Sequence, residues 1–281
     1  MRATSVDCTT IDANPEEVND PSGAADMIAE VLGGSASDYI DKLQEDTTFV
    51  YIRRQVDEDE AEELQQKLSD AGVEGIYFLD DTKRVYPYGS VAGQILGVVG
   101  VDGDGLSGLE LYYNDVLQGT DGQMLMETGQ DGTPIAGAPA EVTPAKDGTD
   151  IVISIDINIQ QVAEEQIAQG VKDYNADSGS VMVIDPQTGE ILAACSTPLL
   201  DPTDTSEATA DAFSLKCVSS SYEPGSIFKV LTAAIGINDG LMNTETTWSV
   251  PAQVKAGDDY VTDVDGRDYT MDMSLREILR R

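Results

Sequence analysis

Ser226 and Lys229 stand three positions apart in the stretch YEPGSIFKVLTA, and this spacing could serve a nucleophilic reaction. Residues three apart are neighbours on one face of an α-helix, so the lysine amine could reach the serine hydroxyl. An uncharged lysine can accept the proton of an attacking serine, and Ser-Lys pairs are known histidine-free nucleophiles for acyl transfer. Pro224 and Gly225 predict that the helix begins at or beside Ser226.

The helix predicted from Ser226 is apolar on every side apart from Lys229 and Thr232. Such a composition is typical of a buried helix, in which a desolvated lysine favours its neutral form. A second interpretation is that Ser226 caps the helix and that Lys229 extends its amine to water. The residues alone leave acyl-serine chemistry and this structural role both open.

The 281-residue chain contains no histidine, which excludes Ser-His-Asp and Cys-His catalysis. It also removes the usual zinc ligand. The three cysteines, Cys8, Cys195 and Cys217, form no C-x-x-C pair and are odd in number. They indicate buried or incidental thiols rather than a disulfide framework or a metal site. Any nucleophile in this chain needs a base other than histidine.

The charge of the chain argues against nucleic acid and anionic lipid as partners. With 52 acidic and 16 basic side chains, the formal net charge is −36, which repels phosphate backbones and anionic lipid. We therefore predict that the chain binds no nucleic acid. The sequence has no apolar run of the roughly 20 residues that a membrane helix requires. A polar stretch follows Met1 and Arg2 directly, so no signal peptide is predicted either.

The elements around this helix predict an α+β fold in two domains. Residues 1–80 alternate short strands and helices, including the strand TFVYIRRQV and the helix DEDEAEELQQKLSDAG, which ends at Gly72. Residues 86–148 are rich in glycine and predict loops and hairpins. A buried strand (TDIVISID), a helix (NIQQVAEEQIAQGVKDY) and a hairpin (GSVMVIDPQTGEILAACST) then follow. This change from glycine-rich loops to a strand, a helix and a hairpin predicts domains at residues 1–145 and 146–281.

The stretch YEPGSIFKVLTA closely resembles the active-serine motif of class B penicillin-binding proteins, the peptidoglycan transpeptidases. DIVISIDINIQQVAEE and the hairpin resemble the beginning of their transpeptidase domain. RVYPYGSVAGQILGVVG and GLSGLELYYNDVLQGTDG resemble the non-catalytic pedestal that precedes it. The resemblance implies a pedestal at 1–145, the N-terminal part of a transpeptidase domain at 146–281, Ser226 as acylated nucleophile and Lys229 as its proton acceptor.

The same resemblance implies a reaction and its partners. Ser226 would attack the penultimate D-alanine carbonyl of a stem peptide, and an amine of a neighbouring stem peptide would take the acyl group. β-Lactams would acylate the same serine, and no metal or organic cofactor is implied. Other cell-wall synthesis proteins would bind the pedestal. The protein would work at the extracytoplasmic face of the bacterial membrane, held by an N-terminal anchor that this sequence does not contain.

The sequence departs from the family pattern in places. The family's Ser-x-Asn and Lys-Thr/Ser-Gly motifs do not occur, and its usual Asn-Arg-Ala appears as Leu215-Lys216-Cys217. MDMSLREILRR resembles the helix that leads to Ser-x-Asn, so we interpret the chain as an interior piece of a longer protein, inactive on its own. A serine β-lactamase or β-lactam sensor shares the serine motif, although the pedestal-like half argues against both. A non-catalytic partner in a cell-wall assembly complex is a further alternative.

Overall fold

A computed structural model describes residues 3–125, 141–262 and 266–280. The chain divides into two compact units, residues 1–220 and residues 221–281. Both units mix helices with antiparallel strand pairs, so the α+β prediction is confirmed. In the described ranges, no helix has the length and apolar character needed to cross a bilayer.

The first 85 residues build a three-stranded antiparallel sheet packed against three helices. Its first strand in sequence lies in the middle of the sheet and pairs with the other two strands. One core combines buried side chains from the sheet and from all three helices, among them Ile11, Ile28 and Leu64. The elements in chain order are β1 (Thr4–Ala13), α1 (Pro21–Leu32), α2 (Ala36–Leu43), β2 (Val50–Val56), α3 (Glu58–Ala71) and β3 (Ile76–Val85).

The ends of these helices follow from their sequences. The Asp20 side chain caps α1 by accepting from the Gly23 N–H at 3.0 Å, and Pro21 occupies the first helical position. Three acidic residues open α3, where they complement the positive end of the helix dipole. The helix ends at Gly72 in the left-handed conformation, as predicted.

Residues 86–125 and 141–150 carry short elements joined by loops. They are α4 (Gly93–Leu96), α5 (Gly108–Tyr112), α6 (Asn114–Leu117) and the hairpin strands β4 (Gln123–Leu125) and β5 (Glu141–Thr143). Arg84 donates to the buried Glu110 carboxylate at 2.8 Å and so ties β3 to α5. The prediction of loops and hairpins also covered residues 126–140, which lie outside the described ones.

The helix and hairpin predicted after residue 157 are confirmed. The helix α7 (Ile157–Tyr174) is capped by the Asp156 carboxylate, and the strands β6 (Ser180–Ile184) and β7 (Ile191–Ser196) pair antiparallel. The segment that follows contains a 3₁₀ turn at Ala210–Phe213 and the one-turn helix α8 (Lys216–Ser219).

The predicted buried strand TDIVISID is wrong. Residues 151–155 form no strand, and the Val152 side chain is 95% exposed. The segment meets β7 through the Asp156 N–H, which donates to the Leu192 carbonyl at 2.9 Å, and through the Ser154 hydroxyl, which donates to Ile191. A strand needs a ladder of main-chain bonds to a neighbour, and these contacts do not supply one.

The second unit is built from short elements. It begins with a 3₁₀ turn at Gly225–Ile227, and its described side chains include few that are buried, namely Ala233, Gly236, Met273 and Leu275. Ser274 and Glu277 form a reciprocal capping box at the start of its last helix. Its elements are α9 (Phe228–Asn238), β8 (Thr247–Val250) paired with β11 (Met271–Ser274), β9 (Gln253–Ala256) paired with β10 (Asp259–Thr262), and α10 (Leu275–Arg280).

Candidate active site

Ser226 lies in the 3₁₀ turn that leads into α9, and Lys229 is the second residue of α9. The predicted helix start beside Ser226 is therefore confirmed. Gly225 has a φ of 55°, a left-handed conformation that glycine adopts without steric penalty, and it lets the chain turn into the helix. The position of the helix N-cap is occupied by Ile227, so the Ser226 hydroxyl does not cap α9.

The Ser226 and Lys229 side chains are both exposed to solvent. Among the residues that the structure describes, no hydrogen bond joins the serine hydroxyl to the lysine ammonium. The two groups share the same helical turn without a direct bond between them. The spacing therefore brings the two candidate residues together at the beginning of the same helix.

The prediction that α9 is buried is wrong for this chain. Ile227 is 73% exposed and Val230 is 61% exposed, and the described part of α9 buries only Ala233 and Gly236. A unit formed by residues 221–281 is too small to surround a helix that is apolar on all sides. Lys229 is consequently not desolvated here. The other large apolar side chains that α9 exposes are Phe228, Leu231, Ile235 and Ile237.

The carboxyl half of α9 is its better anchored end. A Cβ on Gly236 would lie 2.5 Å from the Met242 side chain, so the chain after the helix folds back closely against it. The Leu241 N–H donates to the Gly236 carbonyl at 3.0 Å, and α10 also contacts α9. The contacts of Gly236 hold the end of the helix that lies away from Ser226.

The first unit contains a buried polar network that the sequence patterns above do not predict. Glu164 on α7 accepts at Oε1 from the Ala92 N–H (2.9 Å) and from Gln160 Nε2 (2.7 Å). Gln160 also binds the main chain of Ala194 on β7, accepting from its N–H at 2.8 Å and donating to its carbonyl at 2.9 Å. Burial raises the pKa of the Glu164 carboxyl. The network joins α7 to β7 and to the start of α4.

A sequence signal for part of this network exists. Gln160 and Glu164 are one turn apart on the same helical face as Ala163 and Ile167, which pack against the hairpin. Polar residues on an apolar face are expected to be paired when buried. The partner on α4 has no comparable signal, because Ala92 lies 72 positions from Glu164 in the sequence.

Lys216 is the first residue of α8. Its ammonium donates to the Thr197 carbonyl at 3.0 Å and pairs with the Asp211 carboxylate at 3.3 Å. Its main-chain N–H donates to the Ser196 hydroxyl at 2.9 Å. Lys216 thus anchors the beginning of α8 to the end of β7.

Sequence models of two protein domains match this chain. The model described as "Penicillin-binding Protein dimerisation domain" matches residues 3–153, and the model described as "Penicillin binding protein transpeptidase domain" matches residues 179–281. Ser226 and Lys229 lie within the second match. The chain therefore belongs to the penicillin-binding proteins that combine these two domains, as the resemblance implied. The domain boundary between residues 145 and 146 stays a prediction.

Particular relatives agree with this family. The chain is 34% identical over 249 residues to penicillin-binding protein PbpB of Mycolicibacterium smegmatis, covering 86% of this chain and 38% of the relative. It is 33% identical over 233 residues to "Probable peptidoglycan D,D-transpeptidase PenA" of Neisseria meningitidis serogroup A, covering 81% of this chain and 39% of the relative. This chain thus spans less than two fifths of either relative.

A solved structure extends the likeness to the fold. The crystal structure of a peptidoglycan synthetase from Bifidobacterium adolescentis is 27% identical and superposes with a TM-score of 0.66. The superposition covers 99% of this chain and 54% of that chain.

Proposed function

We propose that the protein containing this chain is a peptidoglycan D,D-transpeptidase in which Ser226 is the acylated nucleophile and Lys229 its base. The observation that carries the proposal is the placement of both residues at the start of one helix, within the region matched by the transpeptidase domain model. A pedestal at residues 1–145 and a transpeptidase domain from residue 146 belong to the same proposal.

The chemistry proposed is acyl transfer through a serine ester. Lys229 takes the hydroxyl proton as Ser226 Oγ bonds to the penultimate D-alanine carbonyl carbon of a stem peptide. The C–N bond to the terminal D-alanine then breaks, and the leaving amine takes a proton. An amine of a second stem peptide attacks the ester and releases Ser226. β-Lactams acylate the same oxygen by opening their ring.

Proton acceptance by Lys229 requires its uncharged amine, which exclusion of water favours. We propose that α9 is covered in the active protein. Its exposed apolar side chains, including Phe228 and Val230, support this because they would surround Lys229 once covered. The exposed state of this chain is then a less active one.

The partners and the location belong to the proposal as well. Stem peptides and β-lactams would bind at Ser226, and other cell-wall synthesis proteins would bind the pedestal. The protein would act at the extracytoplasmic face of the membrane. The match of the dimerisation domain to residues 3–153 favours a transpeptidase over a serine β-lactamase or sensor.

Substitution of Lys229 by arginine tests the base. Arginine keeps the positive charge but does not lose its proton in proteins, so it cannot act as a base. In a longer protein that includes the Ser-x-Asn and Lys-Thr/Ser-Gly segments, we expect Lys229→Arg to lower the rate of acylation by a fluorescent penicillin about 10²–10⁴-fold. Ser226→Ala should abolish it. Lys255→Arg, at an exposed position on β9, is the matched control and should acylate normally.

The outcomes separate the possibilities. Acylation of Lys229→Arg at nearly the rate of the unsubstituted protein would exclude Lys229 as the base. Labelling of Ser226→Ala would exclude the serine, and no labelling of any form would favour a non-catalytic scaffold. The 281-residue chain itself should label slowly or not at all, because neither tripeptide motif occurs in it. Rapid stoichiometric labelling of this chain would contradict that expectation.

A further inference from the structure

Asp12 places a carboxylate at the centre of the three-stranded sheet, on β1. The residue is only 6% exposed. Among the residues that the structure describes, none donates a hydrogen bond to its Oδ1 atom, which is itself buried. Burial raises the pKa of the Asp12 carboxyl, and a bond from its own main-chain N–H offsets only part of that effect. A positive charge placed beside this oxygen would remove the cost of burying it.

Two tyrosines flank Asp12 on one face of the sheet. Asp12 pairs directly with Tyr51 on β2 and with Tyr77 on β3. Side chains of directly paired residues lie on the same face, so the carboxylate lies between two aromatic side chains. The helices α1, α2 and α3 pack on the opposite face, which carries Ile11. We call Asp12, Tyr51 and Tyr77 together the Asp12 site.

Both tyrosines of the Asp12 site are accessible from solvent. Tyr51 is 45% exposed and Tyr77 is 46% exposed. The face of an aromatic ring attracts a cation, and the Arg54 guanidinium already lies 5.1 Å from the centre of the Tyr51 ring. Arg54 pairs with the Asp102 carboxylate at 2.6 Å, so its charge is balanced outside the Asp12 site.

The composition of the Asp12 site selects an organic cation. In the described part of the chain, no group of three or more histidine, cysteine, aspartate or glutamate side chains could hold a metal ion. One carboxylate between two aromatic rings instead suits an ammonium or a guanidinium group.

Apolar side chains continue the surface on both sides of the Asp12 site. Phe49 is half exposed and packs edge-on against Tyr51, with ring centres 4.8 Å apart. Leu79 is also half exposed and follows Tyr77 by two positions on β3, which places it on the same face. A basic side chain that is carried on an apolar peptide segment would match the charge and the apolar surface together.

We propose that the Asp12 site is a docking site for a lysine or arginine side chain on an apolar segment of a partner protein. The inference rests on the proposal that other proteins bind the pedestal, and it does not involve the acylation of Ser226. The basic group pairs with the Asp12 carboxylate and lies against the two tyrosine rings. Rotation of the half-exposed Tyr51 side chain opens the path to the carboxylate, and exposed side chains rotate rapidly. The net charge of −36 favours the approach of a basic partner.

Two short peptides test the charge. The probes are acetyl-Leu-Lys-Leu-amide and acetyl-Leu-Gln-Leu-amide, added to the 281-residue chain at about 0.15 M salt, which screens unspecific attraction. In NMR spectra, the lysine peptide should shift the amide signals of Asp12, Tyr51 and Tyr77, and the glutamine peptide should not.

Asp12→Asn keeps the shape of the side chain and removes its charge. It should weaken binding of the lysine peptide at least about 10-fold, because hydrogen bonds to charged groups are the stronger ones. Asp7→Asn is the matched control, since it removes the same charge from an exposed position of the same strand and should leave binding unchanged. Circular dichroism checks that each variant is folded.

Two substitutions of Tyr51 test the ring. Tyr51 lies on an edge strand and is half exposed, so both variants should fold. Tyr51→Phe keeps a ring and should bind the lysine peptide nearly as well as the unsubstituted chain. Tyr51→Leu removes the ring and should weaken binding about 3–30-fold.

Three results would overturn the inference. Equal weakening by Asp12→Asn and Asp7→Asn would reduce the attraction to net charge, and equal shifts with the glutamine peptide would exclude a cation. Binding of n-butylammonium chloride as tight as that of the lysine peptide would make this a site for small cations and not a docking site. None of these measurements uses a β-lactam, so acylation at Ser226 is tested separately.

Discussion

The two units differ in which helical side chains they bury. In the first unit, α7 buries a glutamine and a glutamate, because the hairpin and the start of α4 supply hydrogen-bond partners for both. In the second unit, α9 leaves isoleucine, valine and phenylalanine side chains exposed. The comparison shows that the surroundings of a helix decide its burial in this chain, and that its composition alone does not.

Truncation of one leucine in each unit should give the largest difference between the units in the free energy of unfolding. Leu64 on α3 is fully buried, so Leu64→Ala should lower the free energy of unfolding by about 2–5 kcal/mol. Leu231 on α9 is 54% exposed, and Leu231→Ala should change it by about 0.5 kcal/mol or less. Urea unfolding followed by circular dichroism reports mainly the first unit, which contains most of the helical residues, and fluorescence of Trp248, the single tryptophan, reports the second. A large loss in Leu231→Ala would show that α9 is buried in solution.

Substitution of two glycines in the first unit compares a tightly packed position with an open one. Gly93→Ala places a methyl group against the Leu200 carbonyl and should destabilise the protein by about 1–3 kcal/mol. Gly170, inside α7, has open space around it, so Gly170→Ala should stabilise the protein by about 0.5–1 kcal/mol. Thermal unfolding measures both. Equal effects would contradict the close approach of α4 to the segment 196–214.

The smallest expected effect is a pH dependence at Glu164. Burial raises the pKa of this carboxyl above its unfolded value of about 4.3. Its contribution to stability is therefore complete below that value and is lost as the pH rises through the raised folded pKa. Glu164→Gln keeps the acceptor oxygen. The stability of this variant relative to the unsubstituted protein should therefore increase as the pH rises from 4 towards neutrality.

Measuring the free energy of unfolding between pH 4 and neutrality tests this prediction. Glu165→Gln, at the adjacent exposed position, is the control. The same pH dependence in both variants would exclude Glu164 as its source.

Local signals in the sequence predict much of the fold. The acidic start and glycine stop of α3 predict it, and the turn between β6 and β7 predicts that hairpin. The segment 151–155 and the exposure of α9 are not predictable in this way, because strand pairing and burial depend on the neighbours that a segment finds.

Local signals also place the candidate site but not the buried contacts of Gln94 in the first unit. The spacing of Ser226 and Lys229 and the glycine before them predict a helix that begins beside the serine. The hydrogen bonds of Gln94 join residues far apart in the sequence, and a glutamine in a glycine-rich segment shows no pattern that identifies its partners.

The place of β1 in its sheet has a consequence for how the chain folds during synthesis. This strand is made before β2 and β3, yet it pairs along its whole length with β3, from Thr4 opposite Val85 to Ala13 opposite Ile76. One hydrogen-bonding edge of β1 therefore remains open until the ribosome has released β2, and the other until it has released β3. Pairing between distant segments closes slowly, and open strand edges invite pairing with other chains. We expect the nascent chain to be prone to aggregation until β3 has paired with β1.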